Sequence, residues 1–179
     1  GVMAGRGVGG AKVSAVRAKE EAARGKAEAY LDFAAKLLEE KEPRLVAVGG
    51  LSGTGKSTLA KEVAARLGGA AGALHLRTDV IRKRLFGAGP LDRLPDEAYA
   101  PGAGEKVYEE MCRLAREALG GGTSVVMDAV FAREEERRAA ADLAAEKGIS
   151  LEGLWLDAPA SVLEARVAER EKRGDDPSD

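Results

Sequence analysis

A single cysteine, Cys112, stands in a chain of 179 residues, so no intrachain disulfide can form. A lone thiol suits a reducing cytosol, and its neighbours Val107, Met111, Leu114 and Ala118 recur at helical spacing, which predicts a buried, structural side chain. Aromatic residues are scarce at 4%, so the core must be aliphatic, built largely from Ala, Leu and Val. With 45% hydrophobic residues there is enough apolar material for one. Neither sign of charge prevails: 28 basic and 30 acidic side chains leave a formal net charge of −2. That balance gives no global pull toward nucleic acid or an anionic membrane. No stretch approaches the about 20 apolar residues a membrane span needs, and no hydrophobic signal core follows the first basic residues. These absences predict a soluble, cytoplasmic protein with no membrane partner.

The length fits one domain with an appendage. Residues 1–11 are Gly-rich and predict a mobile tail. From Val13 to Glu42 the chain turns to Ala, Glu, Lys and Arg, a connector helix or the end of a preceding domain that Pro43 terminates. Residues 1–42 are thus set apart from a domain over 43–179. There, short apolar runs at Leu45–Val48, Ala73–Leu76, Ser124–Met127 and Leu151–Leu156 read as strands. Helical patterns follow each: Lys56–Leu67, a segment with Ile81 and Leu85 on one face that Thr78 or Asp79 can cap, Arg133–Lys147, and Ser161–Arg173. Another helix, Glu105–Leu119, precedes the third strand. Alternating strands and helices imply a three-layer α/β/α domain with a parallel sheet. Gly87–Gly104, with Pro90, Pro95 and Pro101, is long enough for a substrate lid or binding loop.

The segment Gly50-Leu51-Ser52-Gly53-Thr54-Gly55-Lys56-Ser57 matches G-x-x-x-x-G-K-[ST] without a gap, between a strand and a helix. Glycines let backbone N–H groups wrap a phosphate closely, and the helix beginning there adds its positive end. Gly50, Ser52, Gly53, Thr54, Gly55, Lys56, Ser57 and Thr58 are therefore the expected ATP-binding residues. Lys56 reaches the β- and γ-phosphates, and the Ser57 hydroxyl is suited to Mg²⁺.

Ligands of an open parallel sheet sit beyond the carboxyl ends of its strands. Asp79 follows the second strand and is suited to accept the proton of an attacking hydroxyl. Asp128 follows the third, where an acidic group supports Mg²⁺ directly or through water. Asp157 reads as part of a chain turn, His75 as a structural histidine and Trp155 as core. Arg82 shares a helix side with Asp79, while Arg166, Arg170 and Arg173 recur at spacings of four and three. Beside a P-loop, these arginines are candidates for stabilising transition-state charge.

Leu76 to Gly87, Val125 to Phe131 and Gly153 to Pro159, with the P-loop, resemble the ATP-binding half of bifunctional aminoglycoside phosphotransferase/ATP-binding proteins. More broadly they are similar to the small P-loop kinases, including gluconate kinase, chloramphenicol phosphotransferase and polynucleotide kinase. The resemblance covers about residues 12 to 179. It implies a P-loop NTPase sheet ordered 2-3-1-4-5 with a mobile LID after strand four, and a preceding phosphotransferase domain in a parent protein. With the last residue at Asp179, inside the LID, the expectation here is four strands, 2-3-1-4. By the same resemblance Asp79 activates the acceptor hydroxyl beside Arg82, Arg166 and Arg170 are LID arginines, and Asp128 ends strand three. The expected function is transfer of the γ-phosphate of MgATP to a hydroxyl of a small, sugar-like molecule. The alternatives are a regulatory nucleotide-binding module and a polynucleotide 5′-kinase, and the charge balance with few aromatics counts against a nucleic-acid partner.

Overall fold

The computed structural model describes residues 7–37, 42–90 and 92–173, the side chains of 7–13 and 170–173 excepted. The chain divides into two compact units, 1–39 and 40–179. In the first, helix α1 spans Gly7–Leu37. It begins earlier than expected: residues 7–11 are helical instead of part of a mobile tail. Each glycine costs a helix about 1 kcal/mol, but the long Ala-, Lys- and Glu-rich body has already met the nucleation cost, so propagation into its glycines is cheap. The rest of the expected tail, and residues 38–41 before Pro43, lie outside the described residues.

In the second unit, β1 (Leu45–Gly50), β2 (Leu74–Arg77), β3 (Val125–Asp128) and β4 (Leu151–Leu156) form one parallel sheet in the order β2-β3-β1-β4. This is the expected order, and four strands are present among the described residues. The helices are α2 (Lys56–Arg66), α3 (Thr78–Leu85), α4 (Ala103–Gly120), α5 (Glu134–Glu146) and α6 (Ala160–Arg173). Every residue of β1 is buried, because a central strand of a parallel sheet is covered on both faces. The pleat sorts its side chains. Val46 and Val48, with Val126, pack on Ala60 and Ala64 of α2. Leu45 and Ala47, with Val125 and Met127, meet Val107, Met111 and Ala115 of α4 and Leu143 of α5. Three layers result. Cys112 lies in this second core as expected, and burial pushes its thiol pKa up, which keeps it protonated and inert. No helix among the described residues is long and apolar enough to cross a membrane.

Two expectations need correction. Trp155 is 56% exposed and is not a core residue. Among the described residues β4 pairs only with β1, so its outer side has no cover. One part of the indole still packs: a Cβ on Gly49 would sit 2.7 Å from the Trp155 ring, so a larger residue there would have to push the indole aside. The second correction concerns α3, which starts directly after β2 with no side chain capping its end. Thr78 and Asp79 are inside the first turn instead of at the cap, and there the Asp79 carboxylate meets the positive end of the helix.

The segment from Gly87 to Gly102 is fastened to α3. Lys83 is only 5% exposed, and its Nζ donates to the carbonyls of Pro90 at 3.0 Å and Asp92 at 2.9 Å. Arg82 Nη1 donates to Ala98 O at 2.6 Å, and its guanidinium lies 5.6 Å from the centre of the Tyr99 ring. Leu94 and Ala98 are buried beneath the segment. Lys83→Met keeps the volume but removes both charged hydrogen bonds. It should lower unfolding free energy by about 1.5–3 kcal/mol and hasten tryptic cleavage after Arg93. Chemical denaturation and timed proteolysis measure the two, and unchanged values in both would show that Lys83 does not hold the segment.

Candidate functional site

The run of small residues between β1 and α2 makes a turn that few side chains would allow. Gly50, Gly53 and Gly55 have φ of 143°, 85° and 89°. A Cβ on Gly50 would lie 2.5 Å from the backbone oxygen of Leu156, and one on Gly53 would lie 3.0 Å from that of Leu163. Both clashes are with backbone, so neither is relieved by a rotamer change. Thr54 closes the turn, its hydroxyl donating to Leu51 O at 2.7 Å and its N–H to the same oxygen at 3.3 Å. Gly55 occupies the cap of α2 without any side-chain cap. The first N–H groups of α2 thus lack side-chain acceptors, the arrangement that receives an anion at a helix start.

A cleft of about 1150 Å³ opens over this turn, lined by Gly53, Thr54, Gly55, Lys56, Ser57 and Thr58 on one side and by Ser161 and Arg166 of α6 on the other. Arg166 Nη1 donates to Gly53 O at 3.0 Å, so this arginine bridges α6 and the turn. Two of the expected nucleotide-binding residues are not in its lining. Gly50 is engaged in the turn itself, its N–H donating to Val130 O at 3.3 Å, and Ser52 lines a separate groove with Ala160 and Leu163 of α6. The side chains of Arg170 and Arg173, and residues 174–179 with the expected end of the LID, lie outside the described residues.

The two aspartates stand along the same carboxyl edge. Asp128, the last residue of β3, pairs in register with Val48 on one side and Arg77 on the other. It shares a face with Val126, hence with α2 and the turn above it. It is 2% exposed. Its Oδ2 lies 3.2 Å from His75 Nε2 and 3.6 Å from Arg77 Nε, whereas Oδ1 is buried with no hydrogen-bond partner among the described residues. His75 is thereby a satisfied histidine, as expected, but its partner is a candidate site residue. Asp79 sits one strand further along, with Oδ2 3.4 Å from Arg77 Nη2. Arg82, expected to face the acceptor with Asp79, is held by Ala98 and Tyr99.

Sequence reasoning passed over Arg77 and gave His75 no partner. The available signal was their spacing of two on a strand, which puts both on one face. The register that brings them to Asp128 is not visible in the chain. Also unforeseen is the hinge after Asp128, where Phe131 takes a left-handed backbone with φ 52°. Tyr108 Oη accepts the Phe131 N–H at 3.0 Å and Arg137 Nη1 donates to Phe131 O at 2.6 Å. Burial pushes the Tyr108 hydroxyl pKa well up, so it remains a neutral partner. This bracing fixes Val130, and through it the entry of the turn at Gly50.

Comparison with known proteins agrees with this architecture. Uncharacterized proteins of Mycobacterium tuberculosis and Mycobacterium bovis are 35% identical over 168 residues, covering 87% of this chain. The chain spans only 33% of their length. Among solved structures, the APS kinase of Mycobacterium tuberculosis in complex with AMPPNP and APS superposes with a TM-score of 0.58 at 22% identity, over 75% of this chain and 76% of that one. A subunit of the Pnkp1/Rnl/Hen1 RNA repair complex gives 0.58 at 20% identity, over 76% and 40%. A structure from Chloroflexus aurantiacus provisionally assigned as a kinase gives 0.63 at 23%, over 79% and 74%. At such identities these likenesses speak to the fold, which is that of P-loop kinases. Residues 45–179 match the AAA domain family, and the chain belongs to it.

Proposed function

We propose that this domain transfers the γ-phosphate of ATP to a hydroxyl of a small, sugar-like acceptor. The observation that carries the proposal is the strand order. With β3 between β1 and β2, Asp128 stands between the phosphate-binding turn and Asp79. Adjacent strands are about 4.8 Å apart, so β1 and β2 end about 10 Å from one another. That gap suits a terminal phosphate approached by an acceptor from the Asp79 side.

In this reading the turn N–H groups with Thr58 surround the nucleotide phosphates, and Thr54 holds the turn closed through its bond to Leu51 O while Ser52 faces the groove against α6. Lys56 and Arg166, with Arg170 from the same helix, offset the charge that builds on the transferring group. Asp79 orients the acceptor hydroxyl and takes its proton as the new O–P bond forms and the bond to ADP breaks, with Arg82 holding the segment beside it. Ser57 and Asp128 would hold Mg²⁺, directly or through water. The fit is supported by Asp128 Oδ1, a buried carboxylate oxygen without a partner. Bound Mg²⁺ would neutralise phosphate charge.

The resemblance in Leu76–Gly87 and Val125–Phe131 extends the proposal to a longer, cytoplasmic parent in which a phosphotransferase domain precedes this one. Acceptor-dependent ADP release, measured against panels of sugars, aminoglycosides and oligonucleotide 5′ ends, tests it. Release stimulated by sugar-like acceptors is the expected result. Stimulation only by oligonucleotides would establish a polynucleotide kinase instead, and nucleotide binding without turnover on any panel would establish a regulatory module.

A further inference from the structure

Arg77 has no part in the reaction described above, yet it touches both of its carboxylates. Nη2 lies 3.4 Å from Asp79 Oδ2 and Nε lies 3.6 Å from Asp128 Oδ2. His75, two residues earlier on the same strand face, approaches that same Oδ2 at 3.2 Å. Asp128 is therefore braced through one oxygen only. The atoms left without hydrogen-bond partners are Arg77 Nε and Asp128 Oδ1, both buried. Burying a polar atom without a partner is destabilising, more so when it is charged. Arg77 Nε is a donor that already faces Asp128 Oδ2 at 3.6 Å, so the atom that points to a further partner is Oδ1, a carboxylate oxygen suited to a cation or to its water.

We propose that Arg77 is a positioning residue that sets Asp128 and Asp79 in one frame and keeps Asp128 Oδ1 turned to a hydrated divalent cation on the nucleotide. This rests on the kinase reading. A planar guanidinium presents several donors in a fixed fork and can serve two carboxylates at once, which a lysine ammonium on a flexible stem cannot do with the same geometry. The register supplies the rest. Because Arg77 pairs directly with Asp128 at the end of the β2–β3 ladder and α3 starts at the next residue, the guanidinium is placed between the last residue of β3 and the first turn of α3. Groups that orient a ligand of a metal matter nearly as much as the ligand itself.

The test is calorimetric titration with a non-hydrolysable ATP analogue, with and without Mg²⁺, on the wild type, Arg77→Ala and Arg77→Lys. Thermal unfolding checks that each variant is folded. Both variants should bind the metal-free analogue as the wild type does, while the apparent Mg²⁺ affinity falls about 10–100-fold. Arg77→Lys should recover the melting temperature of the wild type without recovering the Mg²⁺ response. A Mg²⁺ response in Arg77→Ala equal to that of the wild type would overturn the proposal. So would a loss of equal size with and without the metal, which marks general damage, or a wild type indifferent to Mg²⁺. No acceptor is needed, so failure to find one sinks the kinase reading without changing these outcomes. Acceptor phosphorylation with an unaltered Mg²⁺ response sinks the role of Arg77 alone.

Discussion

Asp79→Ala should lower the rate of acceptor phosphorylation by about 10²–10⁴-fold, the range general-base catalysis supplies, while nucleotide binding stays as it was. The division follows from geometry. Asp79 is on α3, outside the lining of the cleft over the phosphate-binding turn, so its removal takes nothing from the phosphates. It is partly exposed, and Arg77 lies against one of its oxygens, which orients the carboxylate at the edge of the sheet. Asp79→Asn sharpens the test. It keeps the shape and a hydrogen bond but cannot take the proton, so it should be nearly as slow as alanine if proton transfer matters, and close to wild type if orientation alone does. Steady-state rates of acceptor phosphorylation, together with calorimetric nucleotide affinity, separate these cases. An unchanged rate in Asp79→Ala would remove the residue from the mechanism.

How far the chain announces this site differs from residue to residue, for physical reasons. The phosphate-binding turn is legible because its demands are local: glycines at positive φ, a lysine at the helix start and a hydroxyl next to it. The sheet order came from the resemblance and the structure agrees with it. Asp128 could be placed at a strand end by its position after Val125-Val126-Met127. Its surroundings could not, since His75 and Arg77 reach it from another strand more than fifty residues earlier, and pairing register leaves no mark in single-sequence periodicity. Trp155 misled for a related reason. An aromatic in a strand is ordinarily half-buried, and only the position of β4 at the edge of the described sheet decides otherwise. The helix cap at Thr78 or Asp79 failed because β2 runs into α3 with no connecting residue, a junction that capping preferences do not anticipate.

Lys56→Ala is expected to have the second large effect, and of a different kind: nucleotide binding and turnover should fail together. Lys56 is the first residue of α2, half-buried, in the wall of the cleft and next to the uncapped N–H groups of the helix. A charge held there acts on phosphate in surroundings less screened than bulk water. Removing one such group from a transferring centre costs about 10²–10³-fold in rate, or about 2.7–4 kcal/mol. Because the same ammonium would contact the phosphates in the ground state, affinity should fall as well, unlike in Asp79→Ala. Arg166 provides the internal comparison. It is exposed and already donates to Gly53 O, so Arg166→Ala should slow turnover less than Lys56→Ala does. A thermal-shift assay reads the binding half directly. Ligand at about 100 times its dissociation constant adds about 2.7 kcal/mol of stability, so MgATP should raise the melting temperature of the wild type and of Arg166→Ala but not of Lys56→Ala. The nucleotide-free melting temperatures of the wild type and Lys56→Ala should coincide, since among the described residues the Lys56 side chain makes no hydrogen bond or ion pair, whereas Arg166→Ala, which loses its bond to Gly53 O, is compared with its own nucleotide-free value. A Lys56→Ala protein that still gains stability from MgATP would show that the turn and the end of α2 bind phosphate through backbone N–H groups alone.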